Sequence, residues 1–187
     1  MSKLVLIVGP QAVGKMTVAQ ELEKITDLKM MHNHETLELP ARLFGWKHPA
    51  RERITALLRF AIFEEMAKSD LPGLIFTYVF DFDLESEKKW LEKVKNIFAT
   101  ENGEFYFVEL EADVEERLKR NRTENRLANK PSKRDLEWSD KDLLEGVKEY
   151  RLNSNDGEVK EENYLKIDNT NLSAEEVARI IKEKFNL

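Results

Sequence analysis

The residues best suited to chemistry stand near the start of the chain, in Gly9-Pro10-Gln11-Ala12-Val13-Gly14-Lys15-Met16-Thr17. They match the G-x-x-x-x-G-K part of the phosphate-loop pattern, and they lie between an apolar run and a helical stretch, the context that pattern requires. Glycines let the chain wrap closely round phosphates with its N–H groups pointing inward. Gly9, Gln11, Ala12, Val13 and Gly14 would form the wrap, Lys15 would add a point charge at the β- and γ-phosphates, and the helix start would turn the positive end of its dipole to the same anion. The ligand implied is ATP with Mg2+. Met16 stands where the pattern asks for a magnesium-holding hydroxyl, and a thioether does not ligate a hard cation. The Thr17 hydroxyl, one residue on, suits the α-phosphate better. The competing reading is a strand-to-helix turn that binds nothing.

Two further clusters fall after apolar runs, at positions where open parallel sheets bind ligands. Asp81 and Asp83 follow the run Leu74 to Phe80. Asp81 is the first candidate to hold magnesium or to take an acceptor's hydroxyl proton. Asp83 is the second, in competition with capping the helix that starts near Glu85. His32, Asn33, His34 and Glu35 follow the run Leu28 to Met31 and could recognise an acceptor's hydroxyls or phosphate. Ordinary capping is the alternative, and His-x-His-Glu is a weak zinc signal. Among Arg42, Arg51, Arg53 and Arg59 nothing in the sequence selects one to clamp an anion. Arg117, Lys119, Arg120, Arg122, Arg126, Lys130, Lys133 and Arg134 concentrate positive charge in a chain whose net charge is -6. Cations closing over a transferring phosphoryl group would stabilise its spread charge. A solvated basic helix or a nucleic-acid patch would carry the same residues.

These residues need elements to position them. Leu4 to Val8 is a continuous apolar run of the kind found in strands buried on both faces, and Leu74 to Phe80 and Phe105 to Leu110 repeat it. Leu28 to Met31 and Tyr164 to Ile167 are weaker versions. Helical spacing lies between them. Ile54, Leu57, Leu58, Ala61, Ile62 and Met66 predict one buried face, and Trp90, Leu91, Val94, Ile97 and Phe98 another. Ser173 and Glu176 form a capping-box signature before the last helix. Alternating strands and helices predict an α/β fold with a parallel sheet covered on both faces. The polar stretch Asn153 to Glu162 reads as a surface loop, and 121–140 as a mobile lid segment. At 187 residues a single domain over 1–187 is expected, as a monomer or homodimer.

Composition sets the outer bounds. The chain has no cysteine, which removes disulfides, thiolate metal sites and cysteine nucleophiles. No apolar run reaches the roughly 20 residues of a spanning helix, and the opening residues lack a signal-peptide pattern, so no membrane contact and a cytoplasmic location are expected. Overall acidity argues against a main role in coating nucleic acid.

In this order of parts the chain resembles the nucleoside monophosphate kinase and shikimate kinase group of P-loop proteins. Adenylate-kinase-type members carry Gly-Lys-Gly-Thr at the loop, also without a hydroxyl directly after the lysine. The segment Ala112 to Arg120 is similar to the strand end and helix before that group's lid, which implies that Arg120 lies against adenine and that Arg122 and Arg126 reach the phosphates. Ile167 to Ser173 resembles the group's adenine loop, so Asn169, Thr170 and Asn171 would meet the base. The resemblance implies a three-layer P-loop nucleoside triphosphate hydrolase fold, with five parallel strands, the loop-bearing strand central and a helical acceptor-binding section over 33–70. The acceptor signatures of both subfamilies are missing, which leaves the acceptor's identity open. The expected activity is transfer of the γ-phosphoryl group of ATP to a small-molecule or nucleotide acceptor. A nucleotide-binding regulator with little turnover and a nucleic-acid end kinase are the alternatives.

Overall fold

The computed structural model describes residues 1–187. Five strands form one parallel sheet: β1 (Lys3–Val8), β2 (Lys29–His32), β3 (Gly73–Thr77), β4 (Glu104–Glu111) and β5 (Tyr164–Asp168), in the order β2-β3-β1-β4-β5. β1 pairs on one side with β3 (Leu6 beside Phe76) and on the other with β4 (Leu6 beside Phe107). The chain leaves β1 toward one half of the sheet and later returns to build the other. The loop after β1 therefore opens into the crevice that such a switch in strand order creates. The helices are α1 (Lys15–Ile25), α2 (Asn33–Phe44), α3 (Pro49–Lys68), α4 (Glu85–Thr100), α5 (Val114–Asn121), α6 (Glu124–Asn129), α7 (Leu136–Glu149) and α8 (Ala174–Phe185).

The continuous apolar runs arise because each strand feeds two cores. Val5 and Ile7 of β1 pack with Val18 and Leu22 of α1 and Val177 and Ile181 of α8. Leu4, Leu6 and Val8 point the other way, among Phe63 of α3, Leu91, Val94 and Phe98 of α4, and Phe76 and Phe107 of the neighbouring strands. Alternation along a strand sends successive side chains to opposite faces, so a strand covered on both sides has no polar position to spare. The capping box of α8 forms as expected: Ser173 Oγ accepts from Glu176 N–H at 3.2 Å, and the Glu176 carboxylate accepts from Ser173 N–H at 2.8 Å.

Several expectations need correction. β3 ends at Thr77 rather than Phe80, so Asp81 sits on a loop beyond the strand. The buried face of α3 is Thr55, Arg59, Phe63 and Ala67, while Leu57, Ala61 and Ile62 are exposed. Arg59 is buried because polar groups of α2 and the rings of Phe76 in β3 and Tyr78 just beyond it receive it, which apolar periodicity does not detect. The stretch Asn153 to Glu162 is anchored at its start. Asn153 and Ser154 donate to the fully buried Glu109 carboxylate of β4, at 2.9 Å from Asn153 Nδ2 and 2.7 Å from Ser154 Oγ. The lid segment 121–140 contains α6, a 3-10 turn at Pro131–Lys133 and the first turn of α7, with Asn121 fully buried. No helix is long and apolar enough to cross a membrane.

Candidate active site

The loop between β1 and α1 is shaped by backbone that side chains resist. Gly9 has φ +137°, and a Cβ there would lie 2.3 Å from the carbonyl oxygen of Leu110 in β4. Gly14 has φ +109° and caps α1, whose first residue is Lys15. Ala12 is also left-handed, at φ 59°. The loop is held from outside by arginines of α5. Arg117 Nε donates to Gln11 O at 2.8 Å, and Arg120 Nη1 donates to Val13 O at 2.9 Å. Asn169 Nδ2 adds a second donor to Val13 O at 2.9 Å, which ties the loop after β5 to the same carbonyl. These bonds occupy carbonyls of the loop, and of its N–H groups Val13 donates to Pro10 O at 3.4 Å; the others remain for a ligand.

A cavity of about 330 Å³ opens on this loop. Its lining takes Ala12 to Val18 from the loop and α1, Arg120 from α5, Arg126 and Lys130 from the lid segment, and Asn169, Leu172 and Ser173 from the loop before α8. The only acid in that lining is Glu116, and it is bonded to Arg120 Nε at 3.0 Å. Lys15 lies across the loop, its Nζ donating to Gly9 O at 2.6 Å and Pro10 O at 2.7 Å. An ammonium has three donors, so one remains. Burial pushes the Lys15 pKa well below its ordinary value, and repulsion from Lys130, Arg126 and Arg117 pushes it further. Burial also takes Arg126 down to about 10, and its Nε has no partner. Asp142 offsets part of the cost at Arg126. Crowded, partly buried cations remain costly, and a polyanion would relieve all of them together.

The structure divides the other basic residues by position. Arg122, expected at the phosphates, is instead largely exposed and donates to Asp140 of α7 at 2.6 Å. α5 ends one residue earlier, and the turn points this side chain toward α7. Lys130, which the sequence left undistinguished within the basic stretch, lines the cavity. Arg120 reaches the loop after β5, donating to Asn169 O at 2.8 Å and Thr170 O at 3.1 Å. Thr170 is occupied structurally, its Oγ1 bonded to Asp113 N–H and to Asp168, and Asn171 is exposed outside the lining. Gln11 gives its carbonyl to Arg117, and its side chain packs against Gly146 of α7 rather than the cavity. Met16 and Thr17 both line the cavity, and Thr17 Oγ1 accepts from Asn125 Nδ2 of α6 at 3.4 Å.

The second cluster lies beyond the ends of β2 and β3. His32 is buried, with Nδ1 unpartnered, and its N–H donates to the Glu35 carboxylate at 2.6 Å. His34 Nδ1 lies 3.0 Å from Glu38, which also accepts from Ser132 Oγ of the lid segment at 2.6 Å. Burial and the Lys130 charge take both histidines down to about 4, so both are neutral near neutrality. Nowhere in the chain do three His, Cys, Asp or Glu residues converge as a metal set would. Of the four arginines left open, only Arg59 is buried. Its Nε donates to Thr36 Oγ1 at 2.9 Å, its Nη2 bonds the Asn33 side chain, and the guanidinium lies 5.5 Å from the Tyr78 ring centre. Asp81 is buried and accepts from Asp83 N–H at 3.0 Å through one oxygen. Asp83 does not cap α4; its exposed carboxylate pairs with Arg151 at 2.8 Å.

No protein-family model matches the sequence, and no curated protein does. Solved structures do match over nearly the whole chain. A gluconokinase from Sinorhizobium meliloti aligns with TM-score 0.59 at 15% identity, covering 99% of this chain and 91% of that one. A shikimate kinase from Acinetobacter baumannii, in complex with shikimate, aligns with TM-score 0.57 at 16% identity, over 100% of this chain and 94% of the other. The APS kinase of Mycobacterium tuberculosis, in complex with AMPPNP and APS, gives TM-score 0.57 at 14% identity, covering 100% and 98%. The chain has the fold of the P-loop small-molecule kinases. That fold places the loop after a central first strand, as found for Gly9 to Thr17.

Proposed function

We propose that the protein transfers the γ-phosphoryl group of ATP to a hydroxyl of a small-molecule acceptor. The observation that carries this reading is the cavity at the loop, where Lys15, Arg126 and Lys130 meet with no free carboxylate among the lining residues. Such a site stores repulsion that a polyphosphate removes. Arg120, Leu172 and Asn169 suit the base and ribose end, and the loop N–H groups with Lys15 suit the phosphates. That AMPPNP and APS occupy a kinase of the same fold supports a nucleotide donor and a small acceptor here.

The acceptor would meet His32, Asn33 and His34, with Arg59 fixing Asn33. The acceptor oxygen attacks the γ-phosphorus as the bond to the β–γ bridging oxygen breaks, and ADP leaves with that electron pair. The hydroxyl proton passes to the Asp81 carboxylate and then to solvent. Charge spread over the equatorial oxygens is held by Lys15 and Arg126. Magnesium, when bound, screens the charge of the β- and γ-phosphate oxygens. Were Asp81 to hold the ion instead of taking the proton, it would offer a hard carboxylate oxygen not used by Asp83, whereas the Met16 thioether would offer nothing to such an ion.

The test is a panel of sugars, sugar acids, polyols, nucleosides and nucleotides incubated with Mg-ATP, with ADP release and phosphorylated product both followed. An acceptor-dependent product that Lys15→Ala abolishes supports the assignment. ADP release unaffected by changes at the loop, or no product from any acceptor class, contradicts it.

A further inference from the structure

Lys130 occupies a position that neither the loop pattern nor the arginine count marks. Its backbone is fixed on both sides: its N–H donates to Arg126 O at 3.0 Å, and its carbonyl accepts from Lys133 N–H at 2.9 Å. The turn that follows is tied to two elements flanking the cleft. Ser132 Oγ bonds Glu38 of α2 at 2.6 Å, and Lys133 Nζ bonds Asp142 of α7 at 2.8 Å. Between those anchors the Lys130 side chain enters the cavity that holds Lys15 and Thr17.

The groups around it come from both halves of the cleft. Its charge is felt by Lys15 of α1 on the donor side and by His32 and His34 on the acceptor side. Arg126 of α6 and Lys133 of the turn act on Lys130 itself. The acids of this neighbourhood are already engaged, Glu38 by His34 and Ser132 and Asp142 by Lys133. Lys130 thus stands where the donor cavity meets the His32–His34 segment.

Building on the kinase reading, we infer that Lys130 is a catalytic residue that contacts the phosphoryl group as it passes from nucleotide to acceptor. Arg126 and Lys15 hold the group on the donor side, and Lys130 holds its oxygens on the side facing the acceptor. It forms no covalent bond and transfers no proton in the step. Its role needs a positive charge, and its surroundings oppose that charge: burial, then repulsion from Arg126 and Lys133, bring its pKa down to about 7. An arriving γ-phosphate reverses the balance. Lys130 then takes up a proton when the nucleotide binds above neutral pH, and affinity falls by up to about tenfold per pH unit over that range.

The experiment is calorimetric titration of Mg-ATP and Mg-ADP near pH 8, in two buffers of different ionisation enthalpy, on the wild-type protein, Lys130→Met and Lys130→Arg. The wild type should take up more proton with Mg-ATP than with Mg-ADP. Lys130→Met should lose that excess and, with the acceptor found, lose about 100-fold or more in kcat. Lys130→Arg should bind Mg-ATP without the excess uptake and with a flatter pH dependence, because its guanidinium is charged throughout. Unchanged excess proton uptake in Lys130→Arg, or equal uptake with the two nucleotides in the wild type, overturns the assignment of Lys130 while leaving the nucleotide site intact. Absence of binding by the wild type overturns both readings.

Discussion

Individual residues in this site are held under opposing demands, and the demands make their behaviour predictable. Gly9 has a left-handed φ and lies against the Leu110 carbonyl, so Gly9→Ala adds both backbone strain and a close contact. Its stability in chemical denaturation should fall by about 1–3 kcal/mol, and the loop should bind nucleotide less well. His32 and His34 titrate in the opposite sense to a paired histidine. Their folded values near 4 lie below the ordinary 6.5, so between pH 6.5 and 4 the unfolded chain binds protons that the folded chain refuses. Stability is therefore complete above that window and lost as the pH falls through it. Thermal melts should show a declining Tm over this range, and His32→Gln should make the decline shallower. An equally steep decline in the variant would contradict the burial argument.

At the scale of elements, α5 acts as the brace of the phosphate loop. Arg117 bonds Gln11 O, Arg120 bonds Val13 O, and one turn of helix separates the two side chains. Arg117→Met removes a charge-assisted bond of about 1.5–3 kcal/mol. Amide exchange at residues 11–14 should accelerate and nucleotide affinity should drop by at least about tenfold; unchanged exchange would mean that the loop needs no brace. This brace also shows where sequence reading succeeded and where it stopped. The loop, the first strand and the Ser173 box were legible because their residues are local, each a spacing along one segment. Arg59 was hidden because its partners, Asn33, Thr36 and Tyr78, come from other elements, and apolar spacing favoured Leu57 and Ile62 instead. Arg122 lost its expected place for the same reason, since the packing of α7 beside the end of α5 turns its side chain to Asp140, while Lys130, undistinguished in the sequence, lines the cavity. Asp81 remains the first candidate carboxylate, but three residues of predicted strand before it proved to be loop.

For the whole molecule, the sheet carries two cores, one on each face, and they hold β1 and the crevice at its end in place. Leu6 is fully buried at the centre of the aromatic core, and Leu6→Ala should cost about 2–5 kcal/mol in equilibrium unfolding. A loss below about 1 kcal/mol would mean that the core closes over the gap more easily than dense packing allows. The central claim is that the loop and its surrounding cations take up a nucleoside triphosphate. Calorimetric titration of the wild-type protein and Lys15→Met with Mg-ATP tests it most directly. Saturable one-to-one binding by the wild type, weakened at least tenfold by the substitution, is the predicted result. No heat of binding in the wild type, or the same affinity in both proteins, would contradict it.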